Sequence, residues 1–122
     1  MATRPATVKK ERNGDVLIVT WTNLAAGDVG GGFYFPEWPD RCVQIIGHAS
    51  NVATVSIIGS NNGFSFSDLT DVHGNALTGL EHQDMKQITE VPLLMLPSVS
   101  AGAITTAYTV IVVARRTNSY GS

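Results

Sequence analysis

The stretch TTAYTVIVVARR, residues 105–116, is the longest run of β-forming residues in the chain. In an extended strand its side chains divide between two faces, Tyr108, Val110 and Val112 on one and Thr109, Ile111 and Val113 on the other. Strands whose two faces are both apolar or β-branched are typical of positions inside a sheet. We therefore expect residues 105–116 to form a central strand.

Three further segments are also predicted to be strands. The run DVLIVTW at 15–21 lies between an Asn-Gly pair and a small-residue segment that ends at Gly27, and it predicts a strand buried on both faces. Residues 41–46 and 52–58 follow, separated by GHASN, whose small and polar residues suit a hairpin loop. The pair predicts a β-meander.

The remaining segments are shorter and are separated by turn signals. GSNNG at 59–63 predicts a turn, after which Phe64-Ser-Phe66 resumes the alternation of a strand. Two prolines enclose residues 93–96, and because proline is tolerated mainly at the edges of sheets, we expect an edge strand there. Only residues 81–90 have a composition that could form a helix.

Six to eight short strands with turns about every ten residues indicate a β-sandwich or a small barrel. We expect an all-β, jelly-roll-like sandwich of one domain at residues 15–116. Residues 1–14 are predicted to form a flexible N-terminal arm, and residues 117–122 a flexible C-terminal tail.

Charge is distributed unevenly along the 122 residues. Four of the eight basic residues and one of the ten acidic residues fall in the first twelve positions, which gives the arm a net charge of +3 and the remainder −5. The body offers no basic face, so we expect no nucleic-acid partner. The arm either forms a solvated terminus or reaches an acidic neighbour.

Composition narrows the class of protein further. Hydrophobic residues make up 43% of the chain and charged residues 15%, which favours a folded domain over a disordered chain. No apolar run is long enough for a transmembrane helix, and none near the N-terminus resembles a secretory signal, so we expect no membrane partner and a protein made in the cytoplasm. Cys42 is the only cysteine, which rules out an intramolecular disulfide, and its apolar neighbours favour a buried core position.

Catalytic and cofactor motifs are missing from the sequence. Gly30-Gly-Gly32 is followed by aromatic residues rather than by a phosphate-binding helix, and the three histidines have no zinc-type spacing. Asp71-Val-His-Gly-Asn75 has a few of the oxygen ligands of a calcium loop, but a structural turn is the better interpretation. No acid–base pair or nucleophile motif is apparent, so we expect neither an enzyme nor a bound cofactor or metal.

An aromatic segment at residues 30–40 is the most unusual part of the chain. Four of the nine aromatic residues lie within six positions, and two prolines stiffen the segment. Such a loop either closes one end of a sandwich or presents aromatic side chains to a partner.

The order of segments from about Trp21 to Arg116 resembles the small head decoration, or cement, proteins of tailed bacteriophages. The resemblance rests on the motifs WTNL at 21–24, PDRCVQIIG at 39–47, TVSIIGSNNG at 54–63, LTDVHGNAL at 69–77 and TVIVVARR at 109–116, together with Ile88-Thr-Glu90.

Membership of that family implies a structural virion protein on the capsid exterior, whose partner is the major capsid protein. Such proteins stabilise the shell by bridging capsid subunits, and they act as dimers or trimers. The basic arm and the aromatic segment are then the candidate capsid contacts, namely Arg4, Lys9, Lys10, Arg12, Phe33, Tyr34, Phe35 and Trp38.

Three alternatives stay open from sequence. The chain could be another virion component, such as a tail or fibre-attachment protein. It could be a carbohydrate-binding β-sandwich that uses Tyr34, Trp38 and Trp21 as stacking platforms. It could also be an enzyme whose site has no recognisable motif.

Overall fold

The computed structural model describes residues 2–34 and 37–116, which form eleven strands and one short 3-10 turn at Arg12–Gly14. No helix in this part of the chain is both long and apolar enough to span a membrane. In chain order the strands are β1 (Thr3–Arg4), β2 (Thr7–Glu11), β3 (Val16–Leu24), β4 (Val29–Gly30), β5 (Phe33–Tyr34), β6 (Asp40–Ile46), β7 (Val55–Ser60), β8 (Ser67–Asp68), β9 (Met85–Ile88), β10 (Leu94–Val99) and β11 (Tyr108–Arg115).

The strands form two sheets that enclose one core. Sheet A has the order β1-β4-β10-β7-β8, with β5 also beside β10, and sheet B has the order β2-β3-β11-β6-β9. The antiparallel pairs β3–β11, β4–β10, β6–β9 and β7–β8 are those made when one long hairpin rolls into two layers, which is the jelly-roll topology. The predicted all-β jelly-roll sandwich is confirmed.

The two longest strands place the core. β11 lies between β3 and β6, so its predicted central position is confirmed. β3 alternates between fully buried and partly exposed residues, with Leu17, Val19 and Trp21 facing inward. The prediction that this strand is buried on both faces is wrong, because its other face points away from sheet A and is only half-buried.

The Cys42 side chain also lies on the face of sheet B that points away from sheet A. Its neighbours Arg41 and Val43 are fully buried, whereas Cys42 is half-buried on the outer face of β6. The prediction of a core position is therefore wrong, because strand alternation sends this side chain away from the core. Burial raises the pKa of the Cys42 thiol, and the nearby carboxylate of Asp40 acts in the same direction while Arg115 opposes it.

Two connections differ from the sequence predictions. β6 and β7 lie in different sheets, so the expected meander is wrong: residues 47–54 cross from sheet B to sheet A. Residues 81–90 contain β9 rather than a helix. β9 lies at the edge of sheet B, where only one of its faces contacts the core through Ile88.

The segment enclosed by two prolines forms a central strand instead of an edge strand. β10 pairs with β7 along its whole length, and on its other side with β5 and β4. The pairing on that second side stops after Met95 and resumes at Ser98. Pro97, which has no N–H to donate, lies within this gap, and the fold therefore accommodates a proline inside the sheet.

The first residues of the chain are part of the sandwich. Thr3–Arg4 pairs in parallel with β4, and Thr7–Glu11 pairs with β3, so residues 3–11 form an edge strand in each sheet. The prediction of a free flexible arm is therefore wrong for these residues, although the side chains of β1 and β2 are exposed as expected. The predicted tail at 117–122 lies outside the described residues.

Candidate partner-binding surface

Five exposed apolar side chains lie at one end of sheet A. Tyr34 is opposite Leu94 in the ladder, Leu94 is opposite Ser60, and the β7–β8 loop continues from there. The Leu93 N–H donates a hydrogen bond to Asn61 Oδ1 at 2.9 Å, which holds the start of β10 against that loop. We call this set the apolar end surface; its exposed fractions are 90% for Phe64, 56% for Tyr34, 50% for Val91, 40% for Leu93 and 37% for Phe66.

The loop that carries Phe64 is fixed by its own hydrogen bonds. Ser60 Oγ accepts hydrogen bonds from the N–H groups of Asn62 and Gly63, at 3.2 and 2.9 Å. Asn62 Oδ1 in turn accepts from the N–H groups of Phe64 and Ser65, at 2.8 and 2.9 Å. Gly63 has a φ of +81°, a conformation that glycine adopts without strain. The Phe64 ring is therefore presented to solvent by an ordered turn, so binding it costs little further backbone entropy.

A groove of about 490 Å³ adjoins the apolar end surface. Asp68 and Glu90 both contribute to its wall. The two carboxylate oxygens of Glu90 accept hydrogen bonds from the N–H and the hydroxyl of Thr70, at 2.7 and 2.5 Å. Burial acts to raise the pKa of Glu90, but these hydrogen bonds outweigh burial and lower it. The groove therefore places negative charge beside exposed apolar side chains.

Arg41 connects the two segments that support this end of the molecule. It is fully buried and donates from Nε to the Trp38 carbonyl at 2.8 Å and from Nη1 to the Pro92 carbonyl at 3.5 Å. Burial lowers the pKa of Arg41 to about 10, so the side chain stays charged at neutral pH. Pro92 lies between Val91 and Leu93, and Arg41 thereby fixes the backbone of the apolar end surface.

The predicted aromatic contacts are divided between core and surface. Phe33 is half-buried and packs against the core, whereas Tyr34 is exposed. Trp38 is only 7% exposed, and its Nε1 donates to the Gly14 carbonyl at 2.9 Å. Trp38 thus closes the sandwich instead of presenting its ring to a partner. Phe35 lies outside the described residues.

Two cations cover the Trp38 ring. Lys10 Nζ lies 5.6 Å from the ring centroid, and Arg116 Cζ lies 5.4 Å from it. These are cation–π distances. Arg116 also pairs with Glu37 at 3.1 Å. The structure thereby brings one residue of the predicted basic group to the predicted aromatic segment, in a contact within the chain.

The other predicted basic residues are exposed but separate from the apolar end surface. Lys9 forms an ion pair with Glu11 at 3.0 Å, and Arg12 is exposed in the 3-10 turn. Arg4 lies on β1, at the opposite edge of sheet A from β8.

Arg4 forms an ion pair with Asp28 at 3.3 Å. The buried Asp28 carboxylate also accepts hydrogen bonds from the N–H groups of Ala25 and Ala2, at 2.9 and 3.0 Å. The Ala25 hydrogen bond is the main cause of a lowered Asp28 pKa; burial opposes it, and Ala2 and Arg4 add to it. Asp28 therefore holds the first strand against the domain in its ionised form.

We expect this contact to make stability depend on pH. Because the folded-state pKa of Asp28 lies below its usual value of 3.8, ionised Asp28 stabilises the fold fully above that value, and the stabilisation is lost as the pH falls through the folded pKa. Asp28→Asn should therefore unfold at lower urea concentration than the wild type at pH 7, and the difference should shrink below pH 3.8. An equal difference at both pH values would contradict the assignment.

The turn at residues 71–75 matches its structural interpretation. The buried Asp71 carboxylate accepts hydrogen bonds from the N–H groups of His73 and Asn75, at 2.9 and 3.0 Å.

The histidine His82 has a structural contact: its Nδ1 accepts a hydrogen bond from the Gly47 N–H at 3.0 Å. Within residues 2–34 and 37–116, no group of three or more His, Cys, Asp and Glu side chains is arranged to hold a metal ion.

Sequence reasoning missed most of the apolar end surface. It predicted the turn at 59–63, but it assigned Phe64 and Phe66 to a strand, whereas both precede β8 in an irregular segment. The available signal was an aromatic residue directly after an Asn-Asn-Gly turn. Val91 and Leu93 carried no such signal, because only the fold brings them beside that turn.

Comparison with known proteins gives a fold relationship. The chain matches no known protein family, and it matches no curated protein sequence. Among solved structures it is similar to the crystal structure of the SPBc2 prophage-derived protein YomS, with a TM-score of 0.61, 11% sequence identity, and coverage of 81% of this chain and 93% of that one. At this identity the likeness shows a shared fold.

A second similarity is too distant to support any inference. IMPa from Pseudomonas aeruginosa, solved in complex with an O-glycopeptide, has a TM-score of 0.40 and 13% identity. The match covers 84% of this chain but only 13% of that much longer one.

Proposed function

We propose that this chain is a structural protein of a tailed bacteriophage that binds the outer surface of the capsid and bridges major capsid subunits. The observation that carries the proposal is the apolar end surface, where Phe64 is 90% exposed on a turn fixed by hydrogen bonds. The resemblance of the segment order to head decoration proteins supports it. So does the shared fold with a prophage-derived protein.

The chemistry of the apolar end surface defines the partner that it fits. Exposed apolar patches mark protein contacts, and well-placed aromatic side chains dominate their binding energy. Ionised Glu90 in the adjoining groove favours a partner that places a basic side chain beside an apolar pocket. Repetition over a capsid lattice lets a modest affinity per copy stabilise the whole shell.

The alternatives have less support. A carbohydrate-binding module would need its tryptophans exposed, but Trp21 and Trp38 are 1% and 7% exposed, which leaves Tyr34 as the remaining platform of the three. A tail or fibre-attachment protein would use the same kind of surface against a different virion partner. Binding to isolated capsids separates it from the capsid-bound role.

Phe64→Ala should weaken binding to undecorated heads of the encoding phage by roughly 10- to 100-fold. The reason is that burying a phenylalanine side chain contributes about 1.5–3 kcal/mol. The measurement is co-sedimentation of purified protein with the heads over a range of concentrations. Wild-type protein should saturate a fixed number of sites per head at micromolar concentration.

Val52→Ala provides the matched control. Val52 is 71% exposed in the β6–β7 connection and does not belong to the apolar end surface, so its loss should leave binding unchanged. Absence of wild-type binding at micromolar concentration would rule out the capsid-bound role. Equal binding by wild type and Phe64→Ala would exclude the apolar end surface as the contact.

A further inference from the structure

The outer face of sheet B is apolar in its centre. One row across the sheet joins Ile18, Val113 and Cys42, and the next joins Thr20, Ile111 and Gln44. The apolar residues among them are each partly exposed, and none belongs to the hydrophobic core. The central strand β11 therefore exposes the apolar side chains of Ile111 and Val113 to solvent when the chain is a monomer.

Charged residues flank this apolar centre in a specific arrangement. Arg115 on β11 lies directly opposite Asp40 on the neighbouring strand β6, and both side chains point to the outer face. Among the described residues the ion pairs are those of Arg4, Lys9 and Arg116, so Arg115 and Asp40 form none. One cation and one anion thus lie side by side on adjacent strands, each without an ionic partner.

We infer that a second copy of this chain packs against the outer face of sheet B, related by a two-fold axis that runs parallel to the strands between β11 and β6. A two-fold contact is self-complementary, so each residue pair occurs twice. Rotation about this axis exchanges the positions of β11 and β6. It therefore places Arg115 of each copy over Asp40 of the other, and Val113 of each copy over Cys42 of the other.

The same axis superimposes β3 of each copy on β9 of the other, with the small twist normal for stacked sheets. Ile18 then faces Gln87, and Thr20 faces the exposed Met85 of the other copy. Apart from the Arg115–Asp40 pairs, these positions of the overlap pair an apolar or neutral side chain with another, and the only charges in register are opposite in sign.

The size of the face favours a weak contact. β11 and β6 overlap over about seven residues, but β3 overlaps β9 over only about four, because β9 is four residues long. With strands about 4.8 Å apart and about 3.4 Å per residue, the overlap covers roughly 360 Å² on each copy, or about 720 Å² in total. This area is below that of standard interfaces and is typical of weak, transient contacts, so we expect a dissociation constant no tighter than about micromolar. The inference is independent of capsid binding, since the contact involves a different sheet.

Sedimentation of the purified chain without capsids tests the inference. From about 1 to about 300 µM, the apparent mass should rise from 13.0 kDa towards twice that value. Alkylation of Cys42 by a maleimide should slow over the same concentration range, because Val113 of the other copy covers this thiol in the dimer. A mass that remains that of one chain at the highest concentration, or one that approaches three chains, would overturn the inference.

A charge exchange tests the orientation of the two copies. Arg115→Asp places carboxylates over each other and should weaken the dimer at least ten-fold, while the double variant Arg115→Asp with Asp40→Arg should restore it. Arg115 is the last residue of β11 and Asp40 is the first residue of β6, so both substitutions lie at strand ends. Circular dichroism verifies that each variant is folded. Val52→Asp adds a charge elsewhere and should leave the dimer unchanged. Failure of the double variant to recover dimerisation would contradict the proposed axis.

Discussion

Arg41→Ala should lower the free energy of unfolding by about 3–5 kcal/mol, because it creates a cavity and leaves two buried carbonyl groups without their donor. Those carbonyls belong to Trp38 and Pro92, which Arg41 holds from a fully buried position. This is a large fraction of the about 5–15 kcal/mol typical of a domain. Urea-induced unfolding followed by tryptophan fluorescence measures the change.

Two further variants separate this role from general effects of arginine removal. Arg12→Ala removes an exposed arginine and should change stability by less than about 0.5 kcal/mol. Arg41→Lys keeps the charge but loses the forked geometry, so it should fall between wild type and Arg41→Ala. If Arg41→Ala were as stable as Arg12→Ala, the hydrogen bonds of Arg41 to the Trp38 and Pro92 carbonyls would contribute nothing to the free energy of unfolding.

Gly30→Ala should destabilise the fold by about 1–3 kcal/mol through overpacking. A Cβ atom at Gly30 would lie 2.6 Å from Pro97 Cδ and 2.6 Å from Trp21 Cδ1, and both are rings that cannot move aside without shifting the sheets. The expected readout is a midpoint of thermal unfolding several degrees below that of the wild type.

The neighbouring glycine supplies the control. A Cβ at Gly31 would meet no atom closer than 3.6 Å, the Arg4 carbonyl oxygen, so Gly31→Ala should be tolerated. Neither residue has a positive φ, so the comparison isolates packing from backbone strain. Equal loss of stability in the two variants would show that the close approach at Gly30 is not the cause.

The packing around Gly30 is a feature that the sequence does not indicate. The sequence excluded a phosphate-binding loop there, but it supplied no structural reason for three consecutive glycines. The structure gives a reason for two of them: a Cβ at Gly30 would meet Pro97 and Trp21, and a Cβ at Gly32 would lie 2.8 Å from Leu94 Cδ1. A long-range contact of this kind cannot be inferred from local pattern.

The sequence predicts a strand where β-branched and apolar residues alternate. It does not predict the strands whose place depends on which other strands pair with them. β3 and β11 are β-branched and alternate, and both were located from sequence. β10 contains Pro97, whose position in a gap of the ladder depends on how β4 and β5 pair. β9 exposes Met85 and Gln87 and buries only Ile88, so its sequence has little of the period-two signal of a strand.

The candidate binding residues were also predictable only in part. The turn before Phe64 and the unusual aromatic segment were both recognised from sequence. The exposure of Phe64 was not, because it depends on where the turn points. For the aromatic segment the sequence left two alternatives open, closing the sandwich or facing a partner, and the structure buries Trp38, which donates a hydrogen bond to Gly14. Of the predicted contacts that the structure describes, Tyr34 alone belongs to the apolar end surface.

An electron cryomicroscopy map of heads incubated with the protein tests the central claim most directly. We predict density for the jelly-roll domain at regular positions on the outer shell, with Phe64, Tyr34 and Leu93 in contact with major capsid subunits. Density for the domain on the tail, or a head surface that stays bare at saturating protein concentration, would contradict the capsid-bound role.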